Sequence, residues 1–272
     1  MAARPKLIIS DVDGTLIDHS EVMATDFKRL ARMIKEHNIP FTLASGRCYS
    51  ELKPFISSLN IDLPIIANNG AGAYRREETL WGYHMNSLHV RAAIEYADKL
   101  DMVIIMGNGI VERAYRHNAY IQNQIDRFKR YNHFHIPLEE EWEQLNLQKL
   151  LIIDPQQNGR IQQIIDLLEP YRDQLHIVQY DDRSIDIMPQ HCNKSTGMIA
   201  LADKLNINVS DIMTIGDAKN DLEMIKLAGI GVAVGNAVEE LKVQANYICQ
   251  HGYVLGVIEA LEKFYVNRNE CE

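Results

Sequence analysis

At 272 residues the chain is long for one hydrophobic core, and its 46% hydrophobic and 24% charged content is that of a folded protein, not a disordered one. A formal net charge of -9 without a basic stripe disfavours a nucleic-acid partner. No apolar run approaches the ~20 residues that cross a bilayer, so no membrane partner is expected.

The N-terminus leads directly into a strand-like run without the apolar core of an export signal. Cys48, Cys192, Cys249 and Cys271 are scattered without CxxC spacing. Reduced thiols and a cytoplasmic location are therefore expected, with no disulfide framework or structural zinc.

In chain order, Leu7, Ile8 and Ile9 predict a strand over 7–10 that is buried on both faces. Phe27, Leu30, Ala31 and Ile34 recur at helical spacing within a helix expected over 22–37, and a strand over 39–44 completes a β-α-β unit. A helix over about 50–59 and a strand over 64–67 follow. From about 83 to 189 the pattern changes to helix and adjacent strands. Gly107-Asn108-Gly109 signals a hairpin there, since Asn-Gly tolerates the positive φ such turns need, and further strands are expected near 149–153, 176–180 and 184–188. The alternation then resumes with a helix over 194–205, a strand over 212–215, a helix over 222–227 and a strand over 231–234. The expected fold is α/β: a doubly wound, mostly parallel, Rossmann-like sheet core from 1–82 and 190–272, interrupted by an α+β domain at 83–189.

Acidic and hydroxyl residues collect at the predicted strand ends. Asp11 and Asp13 close the first strand two residues apart, a separation that points both carboxylates to one side of an extended chain. Gly14 and Thr15 add a bend able to aim backbone N–H groups at an anion, although an ordinary surface turn reads the same way. Ser45, followed by Gly46 and Arg47, ends the strand over 39–44. Its hydroxyl could donate to a phosphate oxygen, but capping the next helix is the favoured reading. Asp217, Asn220 and Asp221 follow the strand over 212–215. Asp217 and Asp11 suit a hard cation such as Mg2+, with Asn220 and Asp221 holding the cluster; an acid-rich helix start is the plainer alternative. Lys194, near an acidic phosphate site, would neutralise the transferring group and keep Asp11 ionised. Arg47 suits either an anion or a surface acid. His133-Phe134-His135 reads as a structural or solvated pair, Arg113, Tyr115 and Arg116 as a strand face, and Cys192 shows no thiolate-stabilising pattern.

In their order and placement, Asp11-Val12-Asp13-Gly14-Thr15, Ser45, Lys194 and Gly216-Asp217-Ala218-Lys219-Asn220-Asp221 resemble the motifs of the haloacid dehalogenase superfamily of phosphohydrolases. The segments 67–71 and 232–237 look like its Cof-type branch, which carries a large α+β cap between the second and third motifs. The resemblance implies a Mg2+-dependent phosphatase acting on small phosphorylated metabolites through an aspartyl-phosphate. Asp11 would be the nucleophile and Asp13 the general acid and base. Ser45 and Lys194 would contact the phosphate, with Gly14, Thr15, Gly46 and Asn220 around it. Asp11, the Asp13 carbonyl, Asp217 and Asp221 would serve the metal, and the cap would act as a lid that selects the leaving group. Ser195 departs from the glycine many relatives carry. A phosphotransferase or mutase, or a non-catalytic phosphometabolite-binding regulator, is the alternative; the complete set of acids argues against the regulator.

Overall fold

The computed structural model describes residues 4–18, 20, 25–131, 133–180 and 182–267. Strand β1 (Leu7–Ser10) is shielded on both faces, as an unbroken apolar run requires of a central parallel strand. It is followed by α1 (Phe27–Glu36), which buries Phe27, Leu30 and Ile34 on one stripe, then by β2 (Phe41–Leu43), α2 (Tyr49–Leu59) and β3 (Ile65–Ala67). Residues 22–24 of the first predicted helix lie outside the described residues. Next come β4 (Gly72–Arg75) and β5 (Glu78–Gly82), a hairpin absent from the sequence reading. Its turn uses Arg76 and Glu77, with φ of 49° and 71°, so the Asn-Gly signal that marks such turns is missing.

The middle of the chain forms α3 (Ser87–Lys99), β6 (Val103–Gly107), β7 (Glu112–Ala114), α4 (Ala119–Phe128), β8 (Lys149–Ile153), α5 (Ile161–Leu168), β9 (Leu175–Tyr180) and β10 (Ser184–Pro189). The chain then continues through α6 (Lys194–Leu205), β11 (Ile212–Gly216), α7 (Leu222–Leu227), β12 (Ile230–Ala233), α8 (Glu239–Lys242), β13 (Tyr247–Ile248) and α9 (Tyr253–Leu261). Contacts divide it into two units, Met1–Trp81 with Asn193–Glu272, and Gly82–Cys192.

In the first unit the sheet order is β13-β12-β11-β1-β2, parallel throughout. Ser10 pairs with Leu43 on one side and Ile215 on the other, so β1, β2 and β11 end level with one another. An isolated bridge from Ala44 to Ile66 sets β3 beside β2. Leu7 and Ile9 pack with Met198 and Leu201 of α6 and Met224 of α7, while α1 packs against α2 and α9. This register is what collects the strand-end residues.

The second unit is an antiparallel sheet of order β7-β6-β8-β10-β9. Alternation divides its side chains: Ile104, Leu150, Ile152 and Ile185 join a core with α3 and α5, while Val103, Ile105 and Ile153 pack with Ile121 of α4. The 107–109 hairpin is present, but its connection runs from Asn108 to Val111, with Gly109 at φ 101° and the Asn108 side chain accepting from the N–H groups of Ile110 and Val111. No helix among the described residues is long and apolar enough to cross a membrane. Cys48, Cys192 and Cys249 are buried free thiols, and burial pushes the Cys192 thiol up to about 11. Cys271 lies outside the described residues. His133 and His135 join no group of three possible metal ligands among the described residues; His135 lies 3.5 Å from Glu141.

Candidate active site

The parallel core puts the ends of its central strands side by side. Asp11 follows β1 directly, its N–H donating to the Ile215 carbonyl at 2.9 Å, and Asp217 follows β11. Ligands of open α/β sheets bind at this carboxyl edge. Lys194 opens α6, whose start is fixed by a reciprocal cap: the Asn193 side chain accepts from the Thr196 N–H while the Thr196 hydroxyl accepts from the Asn193 N–H. The ammonium group so placed is 1% exposed and donates to Asp11 Oδ1 at 2.5 Å and to Asp221 Oδ1 at 2.6 Å.

Asp221, fully buried, is committed elsewhere as well. Its Oδ2 accepts from the N–H groups of Asp217 and Ala218, both at 3.0 Å, and so pins the loop that carries Asp217. Asp217 in turn accepts from the Thr15 hydroxyl at 2.8 Å. Oxygens of Asp11, Asp217 and Asp221 lie within 4.8 Å of one another, three carboxylates beside one lysine. Burial, then Asp221, pushes the Asp11 carboxyl well above the usual carboxylate range against the pull of Lys194. Burial and Asp221 raise Asp217 too, against the Thr15 hydrogen bond. For Lys194 burial works against the charge, but Asp11 and Asp221 outweigh it and hold the ammonium firmly protonated.

Several expectations take a different form. Gly14 and Thr15 do not aim their N–H groups at an anion: Gly14 donates to the Ile17 carbonyl at 2.8 Å and Thr15 to that of Val12 at 3.3 Å, closing the turn on itself. Gly14 serves Asp217 instead. At φ 84°, a β-carbon on it would stand 2.2 Å from Asp217 Oδ2, so only glycine admits that carboxylate. Ser45 is not the helix cap favoured by the sequence, because α2 begins four residues further on, at Tyr49, with Cys48 at the N-cap. The buried Ser45 hydroxyl instead accepts from the Arg47 N–H at 3.2 Å. Asp13 stands apart from the cluster of Asp11, Asp217 and Asp221, with half its side chain exposed, and is held by the Arg47 guanidinium through Nε at 2.8 Å and through Nη2. Asn220 is exposed and reaches Asn69 Oδ1 at 3.5 Å.

Sequence reasoning missed the service of Thr15 to Asp217, and also Asn236, whose amide donates to the Gly14 carbonyl at 2.8 Å. Asn236 sits in the 232–237 segment already singled out, so a signal was there.

A model of the haloacid dehalogenase-like hydrolases matches residues 8–261. The chain belongs to that family. Its relatives in it include the 5-amino-6-(5-phospho-D-ribitylamino)uracil phosphatase YitU of Bacillus subtilis, 23% identical across 97% of this chain and 99% of that one. They also include the phosphoglycolate phosphatase of Methanoculleus marisnigri, 27% identical across 96% and 97%. A haloacid dehalogenase-like hydrolase of Bacteroides thetaiotaomicron has a similar solved structure, with TM-score 0.84, 25% identity, and coverage of 96% of this chain and all of that one. Within the haloacid dehalogenase-like family this chain is a phosphatase of the Cof type.

Proposed function

We propose that the protein hydrolyses phosphate monoesters of small metabolites with Mg2+, through a phosphoryl group carried transiently on Asp11. The observation that carries this reading is Lys194, a buried ammonium joining Asp11 to Asp221 in a cluster with two more carboxylates than lysines. A structural ion pair needs one acid, whereas a nucleophile facing a dianionic phosphate needs its own charge offset.

In this reading Asp11 attacks phosphorus and the bond to the leaving oxygen breaks, while Asp13 gives that oxygen its proton. Asp13 then takes a proton from water, whose oxygen attacks phosphorus and frees Asp11. The Arg47 guanidinium favours the carboxylate form of Asp13, so Asp13 carries the proton only when released from it and returns to it once the proton is given up, while Lys194 offsets charge on the transferring group and Ser45 binds one of its oxygens. Mg2+ fits the residues present, since hard carboxylate oxygens in excess negative charge are its usual donors. Asp11 and Asp217 would hold the ion with the Asp13 carbonyl, and Asp221 would keep Asp217 in place. When bound, Mg2+ supplies the positive charge that stabilises the transferring phosphoryl group. The relatives' small phosphorylated substrates support the substrate class, and we assign choice of leaving group to the inserted unit.

The test is phosphate release from p-nitrophenyl phosphate and a panel of phosphorylated metabolites, with Mg2+ and with EDTA. Turnover is expected only with the metal, and Asp11→Asn is expected to abolish it in a folded protein. Undiminished activity of that variant would overturn the reading.

A further inference from the structure

The connection from β3 to β4 takes three successive residues through the left-handed region: Asn68 at φ 49°, Asn69 at φ 50° and Gly70 at φ 92°. A non-glycine residue is strained there, and asparagine is among the few side chains that visit the region readily. Both asparagines are buried, at 0% and 5% exposed, so the cost is not relieved by loose packing. Such a turn persists only where its surroundings over-determine it.

Those surroundings are the loops of the candidate site. The Asn69 N–H donates to the Ser45 carbonyl at 2.9 Å and the Asn68 N–H to the Arg47 carbonyl at 3.0 Å. The Asn69 amide lies against Gly46, where a β-carbon would come within 3.2 Å of both Oδ1 and Nδ2. Its Oδ1 faces the Asn220 amide at 3.5 Å. Gly70 meets the start of α6: a β-carbon on it would stand 2.0 Å from the Asn193 carbonyl, one residue before Lys194. One strained turn thus touches the loop after β2, the loop after β11 and the helix that carries Lys194.

We propose that Asn69 is a positioning residue that sets the Ser45-Gly46 loop against Asn220 and so fixes the phosphate-binding groups. It acts through those residues and not on the reacting atoms. The proposal rests on the reading that Ser45 binds phosphate, and its test separates the two.

Asn69→Gly keeps the left-handed backbone without steric cost and removes only the amide. Misplacement of binding groups by a fraction of an ångström is expected to raise the KM for p-nitrophenyl phosphate and the inhibition constant of inorganic phosphate by about tenfold. The kcat should stay within about twofold, because Asp11, Asp13 and Lys194 are untouched. Asn220→Ala, at an exposed position, breaks the same contact from the other side and should shift both constants the same way. The double variant should be no worse than the worse single one, as coupled residues require. Asn60→Gly, a left-handed asparagine at the end of α2, should change neither constant. A merely structural role would lower the melting temperature and leave KM where it was. Unmoved constants in folded Asn69→Gly, or additive effects in the double variant, would overturn the proposal if Ser45→Ala does shift them. If Ser45→Ala leaves phosphate inhibition unchanged, the phosphate reading falls and this proposal with it.

Discussion

Asp11→Asn should make the metal-free protein more stable while destroying its activity. At separations within 4.8 Å and an effective dielectric near 20, each carboxylate pair of the Asp11, Asp217 and Asp221 cluster repels by about 3.5 kcal/mol when charged. Neutralising Asp11 removes two such repulsions and one attraction, that of Lys194, whose ammonium keeps a hydrogen bond to the amide oxygen. Repulsion and attraction being of similar size, the balance falls to the cost of burying a charge, several kcal/mol for an ion taken out of water. The wild type escapes part of that cost because its raised Asp11 carboxyl holds a proton more readily. A gain of about 1–2 kcal/mol remains, a rise in melting temperature of roughly 2–8 °C for a chain of this size. Melting curves in EDTA measure it. In millimolar Mg2+ the order should reverse, since the variant lacks one of the ligands proposed above and would gain less from the ion. A variant that melts below the wild type in EDTA would show that Asp11 is structurally favourable as it stands, and the account of a strained, preorganised nucleophile would fail.

Gly14→Ala forces a β-carbon to 2.2 Å from Asp217 Oδ2 at a φ of 84°, so turnover should fall by about a hundredfold and the Mg2+ concentration at half-activity should rise; a metal titration of activity checks both. Glu259 offers a test of stability far from the chemistry. Burial raises its carboxyl, but the N–H groups of Gln250 and His251, the His251 ring and the Tyr247 hydroxyl outweigh it and pull it down to about 2 from 4.5. The gap corresponds to about 3 kcal/mol, reduced to about 2 kcal/mol by solvent screening, since the side chain is 19% exposed. Because the folded value is the lower one, that stability is present above pH 4.5 and is lost as pH falls toward about 2. Urea midpoints of wild type and Glu259→Gln should therefore differ at pH 6 and converge near pH 2; a constant gap would contradict the linkage.

What the sequence made legible was whatever physics writes into one stretch of chain. Leu7 to Ile9 announces a buried parallel strand, and Asp11 just past it announces a charge at the sheet edge, since an apolar strand cannot hold one. The hairpin of Arg76 and Glu77 was silent because its residues are not those that favour a positive φ. The Arg47 contact to Asp13 and the Thr15 contact to Asp217 were silent for another reason. Each joins residues far apart in the chain, or chooses one of several partners, and the choice is made only when strands come into register. Ser45 shows the limit clearly: serine before a helix reads as a cap, but the helix began at Tyr49 and left the buried hydroxyl to accept from the Arg47 N–H instead.

The same register explains why so few residues do so much. Ser10 pairs with Leu43 and with Ile215, so the residues just beyond β1, β2 and β11 meet without any loop having to reach for another. The remaining cost is electrostatic, three acids gathered where water is scarce. Asp221 bears most of it. By spending Oδ1 on Lys194 and Oδ2 on two backbone N–H groups, it holds the lysine and the Asp217 loop while satisfying its own charge. Asp11 and Asp217 are left as the acids whose charge is least compensated, both pushed upward by burial and by Asp221. A carboxylate whose charge the fold has left under-compensated is one that a cation or an electrophilic phosphorus can still stabilise. The acid that is best satisfied therefore serves as scaffold, and the two that are worst satisfied are the ones available for chemistry.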